Sequence, residues 1–216
     1  MDVIEKVPLF SALEPEDLQA VAVLARPVTA QRGEIIISQG SAGDALYIVV
    51  SGRVRVYVAD EEGREMVLGL EGPYAIFGEI AILDGSVRSA SVAAMECTEL
   101  LKIGAADFLD LLESNTRLAR SVIGSLAGLI RKLTDATQGL ALDSVYRRLV
   151  ARLQERVVEE NGLQVIPERL THQLLADMIG CSREMVSRIM SDLGKGGYIR
   201  LEAGRWVIQR KLPADY

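Results

Sequence analysis

The chain has 216 residues, room for two modest domains, and its 49% hydrophobic content marks a folded globular protein rather than a disordered one. Net charge is −6 but unevenly spread: residues 1–142 hold 12 Lys+Arg against 20 Asp+Glu, and residues 143–216 hold 12 against 10, so a nucleic-acid-facing surface belongs in the last third. A single histidine, His172, and two distant cysteines, Cys97 and Cys181, exclude a His-based metal centre, a Ser-His triad and a C-x-x-C redox pair. No clustered nucleophile and base is present, so an enzyme is not expected. No apolar run is long enough to span a membrane, and Met1-Asp2-Val3-Ile4-Glu5-Lys6 lacks a signal-peptide core, so a cytoplasmic protein is expected.

Residues 7–25 predict a short packing helix. Ser11 or the Glu14-Pro15 pair starts it, and Leu18, Val21 and Leu24 share one face. From Arg26 to Lys102 the period changes. The segments 34–37, 45–50, 53–58 and 65–68 are short and β-branched, with glycines every 8–12 residues. That pattern predicts an antiparallel sandwich or barrel, with Asp60-Glu61-Glu62-Gly63 as a hairpin tip.

The stretch Phe77 to Val92 concentrates unusual chemistry. Arg88 offers a planar fork of donors matched to phosphate oxygens. Ser89 adds a hydroxyl, and small Ala90 lets backbone amides approach an anion. Glu79 repels a phosphate but accepts hydrogen bonds from a sugar hydroxyl. Gly78 leaves room for a ligand against the main chain. An acid for a sugar and an arginine for a phosphate, within one loop, suit a cyclic nucleotide.

Phe108 to about Leu142 reads as one helix. Val122, Leu126, Leu129, Leu133, Ala136 and Leu140 step as an a/d seam, while Ile123 and Ile130 occupy another face. One face for the β-domain and one for a second copy predicts a twofold homodimer, with Val122 to Leu140 as its seam. Gly124 and Gly128 weaken the helix, and a close approach of the β-domain or a ligand is the expected compensation.

A break is expected at Leu142-Asp143-Ser144, then a helix from Val145 to about Glu160 carrying Leu149, Leu153 and Val157, ended by Asn161-Gly162. Val165-Ile166-Pro167 reads as a strand. Thr171 caps a helix carrying Leu174, Leu175 and Ile179, Gly180 turns the chain, and Ser182 caps a second helix over 183–193, ended by Gly194, Gly196 and Gly197. Residues 198–201 and 205–208 form a hairpin, giving a winged helix-turn-helix. On the second helix, Val186, Ile189, Met190 and Leu193 take core spacing. Arg183, Glu184, Ser187 and Arg188 fall opposite, near the end that enters a major groove. Arginines suit guanine and Glu184 suits cytosine N4. Thr171, His172 and Ser182 are candidate phosphate contacts, as are Lys195, Arg200 and Arg205.

The glycine turns at 40–47 and 51–54, the 77–92 segment and Ile179-Gly180-Cys181-Ser182-Arg183-Glu184 together resemble the bacterial cAMP receptor protein / fumarate-nitrate regulator (CRP/FNR) family. The resemblance implies an α+β chain. Residues 1–107 would be a cyclic-nucleotide-binding β-roll (a jelly-roll sensor), 108–142 a dimerisation helix, and 143–216 a winged helix-turn-helix. It implies a transcription regulator controlled by cyclic AMP, held by Gly78, Glu79, Ile80, Arg88, Ser89 and Ala90 with Lys132 and Thr134 from the helix. Its partners would be palindromic double-stranded DNA with TGTGA-like half-sites, a second copy of itself and RNA polymerase, with no membrane. Arg183, Glu184 and Arg188 would read bases. The family's adenine-recognising residues are missing: Gly128, Lys132 and Leu133 stand at those positions, so cyclic GMP, a cyclic dinucleotide or ligand independence stay open. A non-DNA regulatory module is disfavoured by 170–193. No metal, haem or iron–sulfur cluster is implied, because the sensor segment has no cysteine cluster and no histidine, Cys97 being its single cysteine. His172 stands where activator-type members carry an Arg facing DNA. Arg88→Leu is expected to abolish the effector response and spare the fold.

Overall fold

The computed structural model of the chain describes residues 2–213. Its elements are α1 (Asp2–Glu5), α2 (Pro15–Leu24), β1 (Arg26–Ala30), β2 (Ile35–Ile37), β3 (Ala45–Ser51), β4 (Val54–Ala59), β5 (Glu65–Glu71), β6 (Ile76–Phe77), α3 (Ile80–Leu83), β7 (Ser91–Ala94) and β8 (Thr98–Gly104). Beyond these come α4 (Ala105–Ser114), α5 (Thr116–Leu142), α6 (Val145–Gln154), β9 (Val158–Glu160), β10 (Leu163–Ile166), α7 (His172–Ile179), α8 (Arg183–Lys195), β11 (Ile199–Glu202) and β12 (Arg205–Ile208). Two compact units divide within α5, one up to Arg131 and one from Lys132 on.

The first unit is a β-roll of two four-stranded sheets, β1-β8-β3-β6 and β2-β7-β4-β5. They share a core in which Tyr47, Val49, Phe77 and Leu100 of one sheet meet Ile37, Val54 and Val92 of the other. Strand β3 is buried on both faces. Ala45, Tyr47 and Val49 enter that core, while Leu46 and Ile48 point into a second one with Phe10, Val21, Phe108, Leu118 and Val122. This explains why residues 45–50 are apolar without alternation. The α2 start is the Glu14-Pro15 pair, with Pro15 at the first helical position.

The helical segment after the roll departs from expectation in two ways. It is two helices, because Asn115 interrupts it: its side-chain oxygen accepts from the backbone amides of Arg117 and Leu118, both at 3.1 Å, capping α5. Its two apolar faces are also exchanged over the first part of α5. Val122 and Leu126, expected in the dimer seam, pack on the roll core, whereas Ile123 and Ile130 are 66% and 64% exposed. The exposed apolar stripe therefore runs Ile123, Ile130, Leu133, Leu140: Leu133 and Leu140 belong to the seam read in the sequence, while Ile123 and Ile130 stand in it instead of Val122 and Leu126. A Cβ placed on Gly124 or Gly128 meets open space, so neither compensates by a close approach within the chain.

In the second unit, Ser144 caps α6 by accepting from Arg147 N at 3.2 Å. This helix is shorter than expected. Val158–Glu160 is a strand, and Asn161-Gly162, with φ of 52° and 76°, is the two-residue hairpin turn joining β9 to β10 rather than a helix stop. The sheet order is β11-β12-β10-β9, and Ala203-Gly204 turns the β11–β12 wing with φ of 48° and 80°. Thr171 and Ser182 cap α7 and α8, accepting from Leu174 N and Met185 N. Gly180 links the two helices with φ 64°, and α8 runs through Gly194 to Lys195.

Candidate functional site

The segment between β6 and β7 is held against the turn at 40–44 by main-chain bonds. Gly40 N donates to Arg88 O at 2.9 Å and Arg88 N to Ser41 O at 2.8 Å, and Ala42 bridges Val87. Within it, Asp84 accepts from Ser86 N at 2.9 Å, shaping the turn. Gly78 has φ 89°, and a Cβ there would sit 2.7 Å from Arg88 Nη1, so no other residue suits the position. Gly43 is equally constrained, since a Cβ would fall 2.8 Å from the Ala81 Cβ.

Arg88 is 3% exposed. Nη1 donates to Gly78 O at 2.5 Å; Nη2 donates to Ala45 O at 2.6 Å and to Asp44 Oδ1 at 3.0 Å. Its ion pair is with Asp44, a residue the sequence reading left out: the antiparallel register of β3 with β8 brings Asp44 to Lys102, and the bonds between the turn at 40–44 and residues 87–88 bring it to Arg88. Lys102 Nζ donates to Asp44 Oδ2 at 3.1 Å. Burial raises the Asp44 carboxyl, but the bonds from Lys102 and Arg88 outweigh it and hold the group below its usual range. Glu79, at the start of α3, shifts the other way: burial raises it, Glu71 adds to the rise, and the Arg88 charge offsets part of it. Ile80 and Ala90 are half-buried and Ser89 is exposed. Thus the loop sets Arg88 against Gly78 and beside Glu79, with Ile80, Ser89 and Ala90 as their chain neighbours. Lys132 and Thr134 lie in the second unit on α5, both exposed.

On α8, Val186, Ile189, Met190 and Leu193 are buried, while Arg183, Glu184 and Arg188 are exposed. Arg188 Nη2 lies 2.9 Å from Met185 Sδ. Ser187 does not stand free: its hydroxyl lies 2.9 Å from His172 Nδ1. His172 in turn stacks on Trp206 of the wing, centroids 5.9 Å apart, and Trp206 Nε1 donates to Leu170 O at 3.1 Å. The histidine thereby braces α7, α8 and the wing together. Burial, and then the Arg183 charge, lower its pKa. The other expected phosphate contacts have acidic partners: Lys195 with Asp192 at 3.7 Å, Arg205 with Glu160 at 3.0 Å, and Arg200 with Glu202. Among the described residues no helix is long and apolar enough to cross a membrane.

Residues 27–115 match the model of the cyclic nucleotide-binding domain, and residues 147–212 match that of the Crp-like helix-turn-helix domain. Fold and sites together define a DNA-binding transcription regulator with a cyclic nucleotide-binding domain, a class of regulators and not of enzymes. The chain is 35% identical over 198 residues to the cyclic AMP receptor protein of Thermus thermophilus, covering 91% of this chain and 90% of that one. It is 26% identical to a CRP-like cAMP-activated global transcriptional regulator of Mycobacterium tuberculosis, covering 93% and 92%. With this, the chain belongs to the CRP/FNR family. Its fold matches the crystal structure of the Thermus thermophilus catabolite activator protein (31% identity, TM-score 0.58, covering 94% and 93%). It also matches the c-di-GMP-responsive regulator CLP of Xanthomonas campestris (22% identity, TM-score 0.78, covering 92% and 100%).

Proposed function

We propose that this protein is a cytoplasmic homodimer whose hold on DNA is set by a cyclic nucleotide, cyclic AMP first. Residues 1–107 sense the effector, 108–142 join the two copies, and 143–216 bind DNA. The observation that carries the DNA half is the division of α8 into a buried face and an exposed Arg183-Glu184-Arg188 face at its N-terminal end. Arg183 and Arg188 read guanines and Glu184 a cytosine in a TGTGA-like half-site. Thr171 and Ser182 present helix N-termini to phosphates. Ser187 and His172 support α8 and approach the DNA together. The exposed apolar stripe Ile123, Ile130, Leu133, Leu140 suits a second copy, which sets two recognition helices about 34 Å apart on a palindrome. RNA polymerase is the partner through which such a regulator acts.

In the effector half, Arg88, Ser89 and the main chain at Ala90 suit a phosphate diester, Glu79 a sugar hydroxyl, and Gly78 and Ile80 the close packing of the ring. A relative named for cyclic AMP supports testing that nucleotide first. Titration calorimetry with cyclic AMP, cyclic GMP and cyclic di-GMP tests the reading, alongside gel-shift titration of a TGTGA palindrome. Saturable micromolar binding of one nucleotide that tightens the DNA complex is expected. Tight palindrome binding with no response to any nucleotide would overturn the effector half alone.

A further inference from the structure

Ser187 lies on α8 one turn after Arg183, on the side of the helix that carries Arg183, and it is half-buried. Its hydroxyl is already engaged: Oγ lies 2.9 Å from Nδ1 of His172, 15 positions earlier in the chain. The imidazole is held from two sides. His172 is the first residue of α7, whose start is fixed by Thr171 accepting from Leu174 N at 3.1 Å. The ring stacks on the Trp206 indole with the planes 16° from parallel, and the bond from Trp206 Nε1 to Leu170 O keeps that indole in place. The other ring nitrogen, Nε2, makes no hydrogen bond among the described residues. A serine hydroxyl has one proton and two lone pairs, so the direction of its bond to Nδ1 decides what is left for a base. If the proton goes to Nδ1, Oγ meets the groove as an acceptor only. If Nδ1 carries the proton, the hydroxyl is free to donate.

We infer that His172 is a positioning residue for DNA specificity: by taking the Ser187 proton it turns that hydroxyl into an acceptor, which selects a base presenting an amino group, cytosine N4 or adenine N6, and rejects guanine O6 and thymine O4. This rests on the DNA reading of α8 above. Burial, and then the Arg183 charge, favour the neutral ring, which carries one N–H. That proton goes to the nitrogen whose partner can only accept. A backbone phosphate at the start of α7 is such a partner for Nε2, and Nδ1 is left to accept from Ser187. Arg183 and Arg188 donate and Glu184 accepts on the same helix, so Ser187 adds a second acceptor to the reading face, one whose polarity is fixed from α7.

The test is fluorescence-anisotropy titration of the full chain, with and without cyclic AMP, against a TGTGA palindrome and its symmetric single base-pair replacements. Wild type is compared with Ser187→Ala, His172→Phe, His172→Asn and the His172→Phe/Ser187→Ala double variant. Phenylalanine keeps a ring to stack on Trp206 and removes the acceptor; asparagine restores an amide oxygen where Nδ1 stands. Ser187→Ala is expected to relax the preference for an amino-bearing base at one base pair by about fivefold. His172→Phe is expected to relax the same base pair to a similar extent, His172→Asn to keep the wild-type preference, and the double variant to lose no more than Ser187→Ala alone. A role confined to packing would weaken all sequences alike and would not be rescued by asparagine. Uniform weakening by His172→Phe overturns the inference. So does relaxation at a different base pair from Ser187→Ala, an unaltered preference in Ser187→Ala, or His172→Asn behaving as His172→Phe. Should His172→Phe fail to fold, His172→Gln, whose amide reaches the place of Nε2 rather than Nδ1, takes its part with the same expected outcome. If wild type prefers none of these palindromes to random DNA, the DNA reading falls and the inference with it; if it does and the variants keep every preference, the inference alone falls.

Discussion

Replacing Arg88 with leucine tests how far a ligand-binding residue also holds the fold. The sequence expectation is a silent fold and a lost response; the structure predicts a visible loss of stability. Leucine removes three charge-assisted bonds. The one to Asp44 matters least to stability, since Asp44 is exposed and keeps Lys102. The other two leave the carbonyls of Gly78 and Ala45 without Arg88 in a site where it is 3% exposed. An orphaned buried acceptor costs about 1–3 kcal/mol, and leucine's apolar surface returns part of that, so a net loss of about 2–4 kcal/mol is expected. This is a large share of a typical total of about 5–15 kcal/mol. Urea unfolding followed by far-UV circular dichroism measures it, with Trp206, the sole tryptophan, reporting the second unit separately. A midpoint shift with unchanged slope reads as stability. A loss below about 1 kcal/mol would refute the view of Arg88 as a strut. Arg88→Lys, which keeps charge but not the fork, should fall between.

Glu184→Ala should relax preference at one base pair by about 1–3 kcal/mol and leave binding to random DNA nearly unchanged; uniform weakening on all sequences would make Glu184 structural. The Ile123→Glu/Ile130→Glu double variant should sediment as a monomer at concentrations where wild type is a dimer, because it puts charge into an apolar seam; an unchanged sedimentation coefficient would place the interface elsewhere. Burial and Arg183 hold His172 below its usual 6.5, so the native state takes up that proton less readily than the unfolded chain. Stability should therefore fall as pH drops below 6.5, until pH passes the native value, and His172→Gln should remove that share of the slope. Identical pH profiles for the two proteins would contradict it.

Local chemistry made much of this legible in the sequence. Thr171 and Ser182 cap the helices they were read to cap, and Ser144 caps the helix that follows the expected break, because a cap is decided within three residues. The α8 faces follow from spacing alone. What the sequence hid depends on distant partners. Asp44 meets Lys102 across 58 positions through the register of β3 with β8, and nothing near Asp44 announces it. The first part of the α5 seam was misread, with Val122 and Leu126 in place of Ile123 and Ile130, because two apolar stripes lie side by side there and only the roll core decides which is covered. Asn161-Gly162 was read as a helix stop; the same dipeptide serves a hairpin when a strand partner such as Val165 lies opposite Val158.

The double burial of β3 constrains how the roll can transmit anything. A slip of one residue would move Leu46 and Ile48 into the space of Tyr47 and Val49, exchanging the contents of two filled cores at once. The strand is therefore a fixed rail. Asp44 and Ala45, which hold Arg88, sit at the end of that rail. Movement set off at Arg88 has to be taken up by side-chain rotation and by the flanking turns at 40–44 and 84–90, while the sheet beneath them stays in place.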